Sequence, residues 1–310
     1  CCILVAESES REMRVSIALA TYNGLPYLVE QLSSYLQQTR IPDELVVSDD
    51  GSEDDTVQLL ERFAAGAPFR VEILRQKFRL GVFRNFATAV RKCSGDIIFF
   101  SDQDDVWLPS KVSTILRIFD RHPNVLACAS NSEQIDHEGR RKSINTWKDV
   151  CRLSERTLRR LQSDPLRLFL AYRGLNSAHG LAIRAELLSF AEPIFDESQV
   201  VPNFPGYDTY CWIIAVLLGA HFYCYEPLTL YRRHGHNTSP FERQSNSQIA
   251  KHDKPERYLK RLLQVKLAME QLKMRGVKID SKSVGRFHDI CRHYERAARA
   301  RSRGFTGLPI

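Results

Sequence analysis

The chain has 310 residues and a formal net charge of +7, so it is long enough for one large domain with a well-buried core. No apolar run reaches the ~18–20 residues that span a bilayer, and the opening segment Cys1–Ala6 lacks the length and basic flank of a signal peptide. The eight cysteines show no CxxC spacing, which argues against a zinc knuckle and a disulfide framework. We therefore expect a cytoplasmic protein with reduced thiols.

Strands and helices alternate through the first part of the chain. Strands are predicted at 15–19, 45–47, 69–74, 97–100 and 125–129, with helices at 25–38 and 56–65, one ending at 92, and one from Pro109 to about 122. This alternation predicts an α/β fold built on a doubly wound parallel sheet.

The pattern changes beyond residue 130. A turn is predicted at 136–139, a basic surface helix at 152–160, a strand or loop at 176–183 and helices at 184–190 and 207–218, followed by a short strand at 222–225. Two long basic amphipathic helices are predicted at 255–275 and 282–303.

The positive charge is concentrated in the last sixty residues. Residues 251–310 carry 16 Lys and Arg against 6 Asp and Glu, whereas residues 1–250 carry 28 against 31. The net positive charge therefore bears on the surroundings of the C-terminal segment and says little about the rest of the chain. Nucleic-acid binding is disfavoured because no motif that interleaves aromatic and basic residues accompanies the charge.

An acidic cluster follows the most apolar predicted strand. Ile97–Phe100 form an uninterrupted apolar run, and Asp102, Asp104 and Asp105 come directly after it. Open α/β sheets bind ligands at the carboxyl ends of their strands. Three crowded carboxylates repel one another unless a cation or hydrogen-bond donors offset their charge. We interpret this stretch as a metal and nucleotide site.

Four motifs occur in a fixed order: Thr21–Gly24, Val47–Ser52, Gly81–Asn85 and Phe100–Trp107. Together they resemble family 2 glycosyltransferases of the GT-A fold. The wording Ser-Asp-Gln-Asp-Asp-Val-Trp, with a later Tyr-Arg-Arg-His-Gly-His-Asn, is most similar to bacterial rhamnosyltransferases of cell-wall and O-antigen polysaccharide synthesis. The resemblance implies a Rossmann-like GT-A domain at 13–240, with a mostly parallel central sheet flanked by helices. A basic helical segment at 250–305 then forms a C-terminal extension.

The resemblance also implies a metal site for Mg²⁺ or Mn²⁺. Asp104 is expected to bind the cation, with Asp102 toward the ribose or a metal-bound water, Asp105 in support, and His234 closing over the metal or the diphosphate. The alternative is an acid-rich first helical turn stabilised by the helix dipole, which accounts for one carboxylate but not three. His236 is the near neighbour of His234. The alternative for this histidine is a satisfied surface or core residue, as a lone His more often is.

A nucleotide-sugar site is implied by the same motifs. Asp50 is expected to accept a hydrogen bond from the pyrimidine ring N–H, with Tyr22 against the base, and Arg84 and Asn85 at the diphosphate and sugar. Arg79 is a less specific candidate there. The full predicted set is Ala20, Thr21, Tyr22, Asn23, Asp49, Asp50, Arg84, Asn85, Asp102 and Gln103. The alternatives are an ordinary solvent turn with a helix cap for Asp49–Ser52 and a solvated surface charge for the arginines.

Inversion at an anomeric carbon requires a base that deprotonates the acceptor hydroxyl. By resemblance that base is Asp208, although Tyr207 stands where the family usually has His or Glu. The alternative for Asp208 is an N-cap of the helix that follows it. His179, Gly180 and Trp107 are candidates for packing against a sugar, with plain core packing as the alternative and the favoured one for Trp107.

These features together predict a metal-dependent inverting glycosyltransferase that moves L-rhamnose from dTDP-L-rhamnose to a polysaccharide or lipid-linked glycan. The alternatives are a UDP- or GDP-sugar donor, a nucleotidyltransferase, and a non-catalytic sugar-binding module. We expect the enzyme in the cytoplasm, where the basic C-terminal helices either dock on the anionic inner face of the cell membrane or pack on the domain with solvated basic faces.

Overall fold

The computed structural model describes residues 12–171, 175, 177–191, 206–235, 237 and 254–302. Six sequence predictions involve positions outside these residues: the segment Cys1–Ala6, parts of the predicted segments 13–240 and 250–305, the first position of the predicted strand or loop at 176, His236, and the last position of the helix predicted to reach 303. Within the described part of the chain, no helix is both long and apolar enough to cross a membrane.

In the part of the chain that the structure describes, nine strands form one sheet. They are β1 (Val15–Thr21), β2 (Glu44–Asp49), β3 (Arg70–Arg75), β4 (Ile97–Ser101), β5 (Val106–Trp107), β6 (Ala127–Ile135), β7 (Arg141–Asn145), β8 (Leu181–Arg184) and β9 (His221–Arg232). The strand order is β3-β2-β1-β4-β8-β6-β9-β5, and β7 pairs with β6. Strands β1 to β4 are parallel, β8 is antiparallel to both β4 and β6, and β9 is parallel to β6. The predicted α/β fold with a mostly parallel sheet is confirmed.

Ten α-helices flank the sheet within the described residues. They are α1 (Leu25–Leu36), α2 (Thr56–Gly66), α3 (Val82–Lys92), α4 (Lys111–Arg121), α5 (Glu155–Leu161), α6 (Pro165–Ala171), α7 (Leu188–Ala191), α8 (Tyr207–Leu217), α9 (Lys254–Met274) and α10 (Ser281–Ser302). A single 3₁₀ turn, Ala178–Gly180, precedes β8.

The apolar run of β4 is buried on both faces of the sheet. Ile98 and Phe100 belong to the cluster that includes α3, α8 and α9 residues, whereas Ile97 and Phe99 belong to the cluster with α1 and α4 residues. A strand covered on both faces has no polar alternation, which explains why four apolar residues stand in a row. The sheet therefore holds the loop after β4 on a rigid base.

The two C-terminal helices pack against the rest of the described chain. Val265, Ala268 and Leu272 of α9 are buried in the same cluster as α8. Helix α10 is joined to the residue before α6 by the ion pair between Arg286 and Asp164, 2.6 Å apart. These helices therefore bury one face in the protein, as amphipathic helices do.

Four local predictions differ from the structure. The helix predicted at 184–190 begins only at Leu188, because Arg184 ends β8 and Ala185–Leu187 form a 3₁₀ turn. The strand predicted at 125–129 is the longer β6, which extends to Ile135.

Helix α4 begins at Lys111, with Ser110 at the N-cap, and not at Pro109. The strand predicted at 222–225 is part of the twelve-residue β9, which contains Pro227. The register between β6 and β9 shifts at this point, so that Cys224 pairs with Ser130 and Pro227 with the next residue. A bulge accommodates a proline in a strand because the missing N–H is not needed there.

Candidate active site

The loop after β4 carries the acidic cluster into a largely buried setting. Asp105 is fully buried; its Oδ1 accepts a hydrogen bond from the backbone N–H of Arg232 at 3.0 Å, whereas its Oδ2 has no hydrogen-bond partner. Burial, and then the charges of Asp104 and Asp102, raise the pKa of Asp105 well above its usual value. A buried carboxylate oxygen without a partner is a costly feature that a ligand would relieve.

Lys111 is a buried cation beside the acidic cluster. Its Nζ donates to the carbonyl oxygen of His179 at 2.6 Å and to Thr229 Oγ1 at 2.9 Å, and lies 4.0 Å from the centre of the Trp107 ring. Burial lowers the pKa of Lys111 to about 7, while the carboxylates of Asp105 and Asp102 oppose that shift. Lys111 therefore offsets part of the negative charge of the cluster.

Asp104 is paired with the segment that follows β9. Its Oδ2 lies 2.7 Å from His234 Nε2 and accepts from Asn237 Nδ2 at 3.4 Å. The His234 ring stacks on Tyr27 of α1 at 4.6 Å between centroids. The structure thus brings together Asp104, His234 and Asn237.

Arg232 fixes the loop after β4, residues 102–105, which we call the acid loop. Its fully buried guanidinium donates from Nε to the carbonyl oxygen of Asp104 at 2.8 Å and pairs through Nη2 with Glu30 at 2.5 Å. Because its backbone N–H binds Asp105, one residue fixes two positions of the loop. An Arg with several acceptors in fixed directions gives such a loop a defined shape.

The turn Ala178–Gly180 connects two carboxylates. The backbone of Ala178 lies close enough to Asp208 to lower the pKa of that carboxyl, and the backbone of His179 does the same for Asp102. Asp208 lies at the start of α8, where Thr209 also lowers its pKa. The turn therefore places the predicted base on the same side of the molecule as the acid loop.

The pKa values of Asp208 and Asp102 are both raised. Burial raises the pKa of Asp208 to about 6, against the lowering effect of its hydrogen bonds. Burial, followed by the charges of Asp104 and Asp208, raises the pKa of Asp102 well above its usual value. A carboxyl whose pKa approaches neutrality suits general-base catalysis, since it is ionised and still basic at pH 7.

His179 completes a group with two of the acids. Potential ligand atoms of Asp102, Asp105 and His179 all lie within 4.8 Å of one another, in the described part of the chain. The imidazole lies 3.1 Å from Ser132 Oγ through Nε2 and stacks on Tyr231 at 4.5 Å between centroids. Burial, with Lys111 and Arg233 adding to its effect, lowers the pKa of His179 to about 3, which keeps the ring neutral. Carboxylate and imidazole donors, with an unpartnered oxygen among them, fit a divalent cation.

The predicted nucleotide side is built from the ends of β1 and β2. The Asp49 carboxylate accepts from Thr21 Oγ1 at 2.8 Å and from Ser52 Oγ at 2.5 Å, which orders the loop after β2. Asp50 accepts from the backbone N–H groups of Leu80 at 2.5 Å and Gly81 at 2.9 Å. An ionised carboxylate has about four lone-pair sites, so Asp50 retains capacity for another donor.

Gln103 joins this side to the acid loop. Its Oε1 accepts from the backbone N–H of Tyr22 at 2.8 Å and its Nε2 donates to the carbonyl oxygen of Tyr22 at 3.0 Å. The Arg79 guanidinium lies 3.8 Å from the centre of the Tyr22 ring. Asn23, with a positive φ of 48°, accepts from the backbone N–H of Glu53 at 2.9 Å.

The remaining predicted residues differ in their burial and in their contacts with the cluster. Asn85 is buried and donates to the carbonyl oxygen of Thr21 at 3.2 Å, with its Oδ1 unpartnered. Ala20 is half-buried near the end of β1, and Arg84 is exposed near the start of α3. Arg84 is therefore not joined to the cluster. Trp107 is 2% exposed and packs edge-on against Tyr35, so plain core packing accounts for it.

Sequence reasoning missed the parts played by Lys111, Arg232 and Glu30. One local signal was present for Lys111, because a Lys in the first turn of a helix opposes the helix dipole and so costs stability unless acids face it. Arg232 and Glu30 gave no such signal, since they are 202 residues apart in the chain.

The comparisons with known proteins agree with this architecture. An uncharacterised glycosyltransferase of Haemophilus influenzae is 26% identical over 249 residues, 78% of this chain and 72% of that protein. A dTDP-rhamnosyl transferase, RfbG of Shigella flexneri, is 33% identical over 32% of this chain and 35% of its own. Matches to uncharacterised proteins of Mycobacterium tuberculosis and Mycobacterium bovis span only 38% of their length.

Solved structures share the fold at low sequence identity. TarS residues 1–349 of S. aureus, in complex with UDP-GlcNAc, superposes with a TM-score of 0.58 and 18% identity, covering 88% of this chain and 69% of that one. The mannosyltransferase PcManGT of Pyrobaculum calidifontis, in complex with GDP-Man and Mn²⁺, gives a TM-score of 0.51 and 16% identity over 94% and 81%. The sheet is thus of the GT-A type. The model of the family described as glycosyl transferase family 2 matches residues 16–176, more than half of the chain, and the chain belongs to that family.

Proposed function

We propose that the protein transfers a sugar from a nucleotide diphosphate sugar to an acceptor hydroxyl with inversion at the anomeric carbon. The observation that carries this proposal is the turn Ala178–Gly180, which lies beside both Asp208 and Asp102, so that its backbone lowers the pKa of each carboxyl. A base and a diphosphate-facing acid must lie on opposite sides of one reacting carbon, and a single rigid turn fixes their separation. Family membership favours glycosyl transfer over nucleotidyl transfer.

Asp208 is the proposed general base. It takes the proton of the acceptor hydroxyl as that oxygen attacks the anomeric carbon, and the bond from this carbon to the diphosphate oxygen breaks. The pKa of about 6 leaves Asp208 ionised at neutral pH. Its position in the first turn of α8 places the carboxylate near the backbone groups of Thr209 and Ala178, which lower its pKa and so favour the ionised form.

The acid loop is the proposed diphosphate side. Mg²⁺ or Mn²⁺, when bound there, neutralises charge that develops on the leaving diphosphate. Asp102, Asp104 and His234 are the ligands that the sequence predicts, and Asp105 and His179 offer further donor atoms beside Asp102. Lys111 and Arg232 position these groups through their hydrogen bonds to the carbonyl oxygens of His179 and Asp104.

The donor we favour is dTDP-L-rhamnose. Support comes from the wording of the acid loop and the partial match to RfbG. The ends of β1 and β2 offer Asp50 for the ring N–H of a pyrimidine, which thymine and uracil share, and Tyr22 for stacking. A UDP-sugar is the second candidate because TarS, a structural neighbour, was solved with UDP-GlcNAc; a GDP-sugar is a third, since PcManGT was solved with GDP-Man.

The acceptor we favour is a polysaccharide or lipid-linked glycan at the cytoplasmic face of a membrane. Leu259 and Leu263 of α9, one helical turn apart, are 48% and 42% exposed, and Lys260 lies between them. Exposed leucines beside basic side chains suit an anionic bilayer. Co-sedimentation with vesicles containing phosphatidylglycerol should exceed that with phosphatidylcholine vesicles and fall with salt; equal binding to both would contradict membrane docking.

The experiment that tests the function is a thermal-shift screen of dTDP-, UDP- and GDP-sugars with Mn²⁺ or Mg²⁺, followed by a transfer and donor-hydrolysis assay with the best ligand. Asp104→Ala should abolish metal-dependent transfer and hydrolysis. Asp208→Asn should stop transfer yet retain nucleotide binding. Normal turnover in either variant would remove the role proposed for that residue.

A further inference from the structure

The main chain of Tyr22 is bound to the acid loop. Its N–H donates to Gln103 Oε1 at 2.8 Å, and its carbonyl oxygen accepts from Gln103 Nε2 at 3.0 Å. A side-chain amide that binds both polar backbone groups of one residue fixes the position and the direction of that residue. Because the two residues are 81 positions apart, this pair of bonds joins the loop after β1 to the loop after β4.

The residues on either side of Tyr22 are held by a different loop. Thr21 Oγ1 donates to the Asp49 carboxylate at 2.8 Å, and the backbone N–H of Asn23 donates to Ser52 Oγ at 2.8 Å. Both contacts lead to the loop after β2. Tyr22 is therefore the point at which the nucleotide side of the site is bound to the acid loop.

The Tyr22 ring is fixed on one face. The Arg79 guanidinium lies 3.8 Å from the centre of the ring, which leaves at most the opposite face for a nucleotide base. Stacking on an aromatic ring depends on the distance and the tilt between the two planes. A shift of the Tyr22 backbone would change both, so the Gln103 amide controls how well the ring can receive a base.

Gly24 leaves room for the Gln103 amide. A Cβ at position 24 would lie 2.5 Å from Gln103 Oε1 and 2.8 Å from Gln103 Cδ. The backbone of Gly24 has a φ of −92°, which residues other than glycine adopt without strain. The close approach of the Gln103 side chain, and not the backbone angle, is thus what favours glycine at this position.

We propose that Gln103 is a positioning residue, which sets the Tyr22 ring for the nucleotide base and couples base binding to the shape of the acid loop. This inference rests on the proposed function, because it describes how the nucleotide side of that same site is fixed. The coupling is reciprocal: a base that orders Tyr22 also orders the acid loop through Gln103. Loss of the amide should therefore weaken nucleotide binding only where the Tyr22 ring is present to be positioned.

The test is a double-mutant cycle on the affinity of the purified full chain for dTDP and for UDP with Mn²⁺, measured by isothermal titration calorimetry. Gln103→Met keeps the length of the side chain and removes both hydrogen bonds, whereas Tyr22→Leu removes the ring. We expect Tyr22→Leu to weaken binding at least ~5-fold, as loss of base stacking does. Gln103→Met should weaken it at least ~3-fold alone and less than ~2-fold in the Tyr22→Leu background. The matched control Gln37→Met, at an exposed position after α1, should bind as the wild type does.

Gly24→Ala tests the same contact from the other side. Its Cβ should displace the Gln103 amide and weaken binding at least ~3-fold, but less than ~2-fold in the Gln103→Met background. If Gln103→Met does not fold, the cycle of Gly24→Ala with Tyr22→Leu decides in the same way.

Two results would overturn the inference and leave the proposed function standing. One is wild-type affinity in Gln103→Met. The other is an equal loss on Gln103→Met with and without the Tyr22 ring, which is what a merely structural role would produce. A wild type that binds neither dTDP nor UDP would instead remove the proposed function, and this inference with it.

Discussion

Replacing Asp208 by Asn should make the protein more stable while it removes activity. Burial raises the pKa of this carboxyl from 3.8 to about 6, so the folded state binds its proton more tightly than the unfolded state does. Such a group contributes its stability fully below the unfolded pKa and loses it as the pH rises through the folded pKa. At neutral pH the ionised Asp208 is therefore a net cost to folding.

The size of the cost follows from the shift. About two pKa units correspond to at most ~3 kcal/mol. Asp208 is partly exposed, and its charge also gains from the start of α8, which is worth ~0.3–1 kcal/mol and is lost in the Asn variant. Asn keeps one oxygen acceptor for the N–H groups of Ala178 and Thr209. We expect a net gain of ~1–2 kcal/mol for Asp208→Asn above pH 7.

The assay is urea unfolding of the wild type and Asp208→Asn from pH 4 to pH 8. The difference in unfolding free energy should be near zero at pH 4, grow between pH 4 and 6, and level off above pH 7. Transfer should fall by ~10²–10⁴ in the same variant, as expected for loss of a general base. A variant that is less stable than the wild type at pH 8, or a difference independent of pH, would refute the reasoning.

Three further outcomes follow from the same geometry. Transfer by the wild type should fall about tenfold per pH unit below pH 6, as Asp208 takes up its proton, and a flat pH–rate profile down to pH 5 would contradict its role. Arg232→Met should lower the unfolding free energy by ~2–4 kcal/mol, since it leaves buried oxygens without donors. The control Arg121→Met, on the surface, should change it by less than ~0.5 kcal/mol. Similar urea midpoints for the two variants would contradict the role of Arg232 in fixing the acid loop. Gly180→Ala should lower the unfolding free energy by ~1–3 kcal/mol, because the added Cβ would meet a backbone carbonyl oxygen of β6. Gly285→Ala, in the second turn of α10 where the added Cβ meets no atom, should raise it by ~0.5–1 kcal/mol. Thermal melts measure both, and a Gly180 variant as stable as the wild type would contradict a tightly packed turn.

The elements that the sequence predicts best are those whose signals are local. Helix α1 follows from the periodic spacing of Leu28, Leu32 and Tyr35, and β4 follows from its apolar run. The strand β9 was predicted too short because Pro227 reads as a break, and only the pairing with β6 shows that a bulge absorbs it. Motif order placed the acid loop correctly at the carboxyl end of β4.

The candidate site was predicted as a set of motifs but not as a set of contacts. No local pattern shows that His179 lies beside Asp105, because the two meet only through the antiparallel pairing of β8 with β4. The burial of Lys111 and the pairing of Asp104 with His234 likewise depend on distant segments. Residue types indicate the chemical groups of the site. Tertiary packing determines which partner each acid contacts.

The contacts that close the acid loop have a consequence for the order of folding. Asp105 binds Arg232 across 127 positions, Asp104 binds His234 across 130, and Lys111 binds Thr229 across 118. Contacts so distant along the chain form late, since they require long loops to close. During synthesis β1 to β4 can pair first, but the loop remains open until β9 has left the ribosome. A nascent chain therefore lacks the closed acid loop until β9 and the segment that follows it are available for pairing.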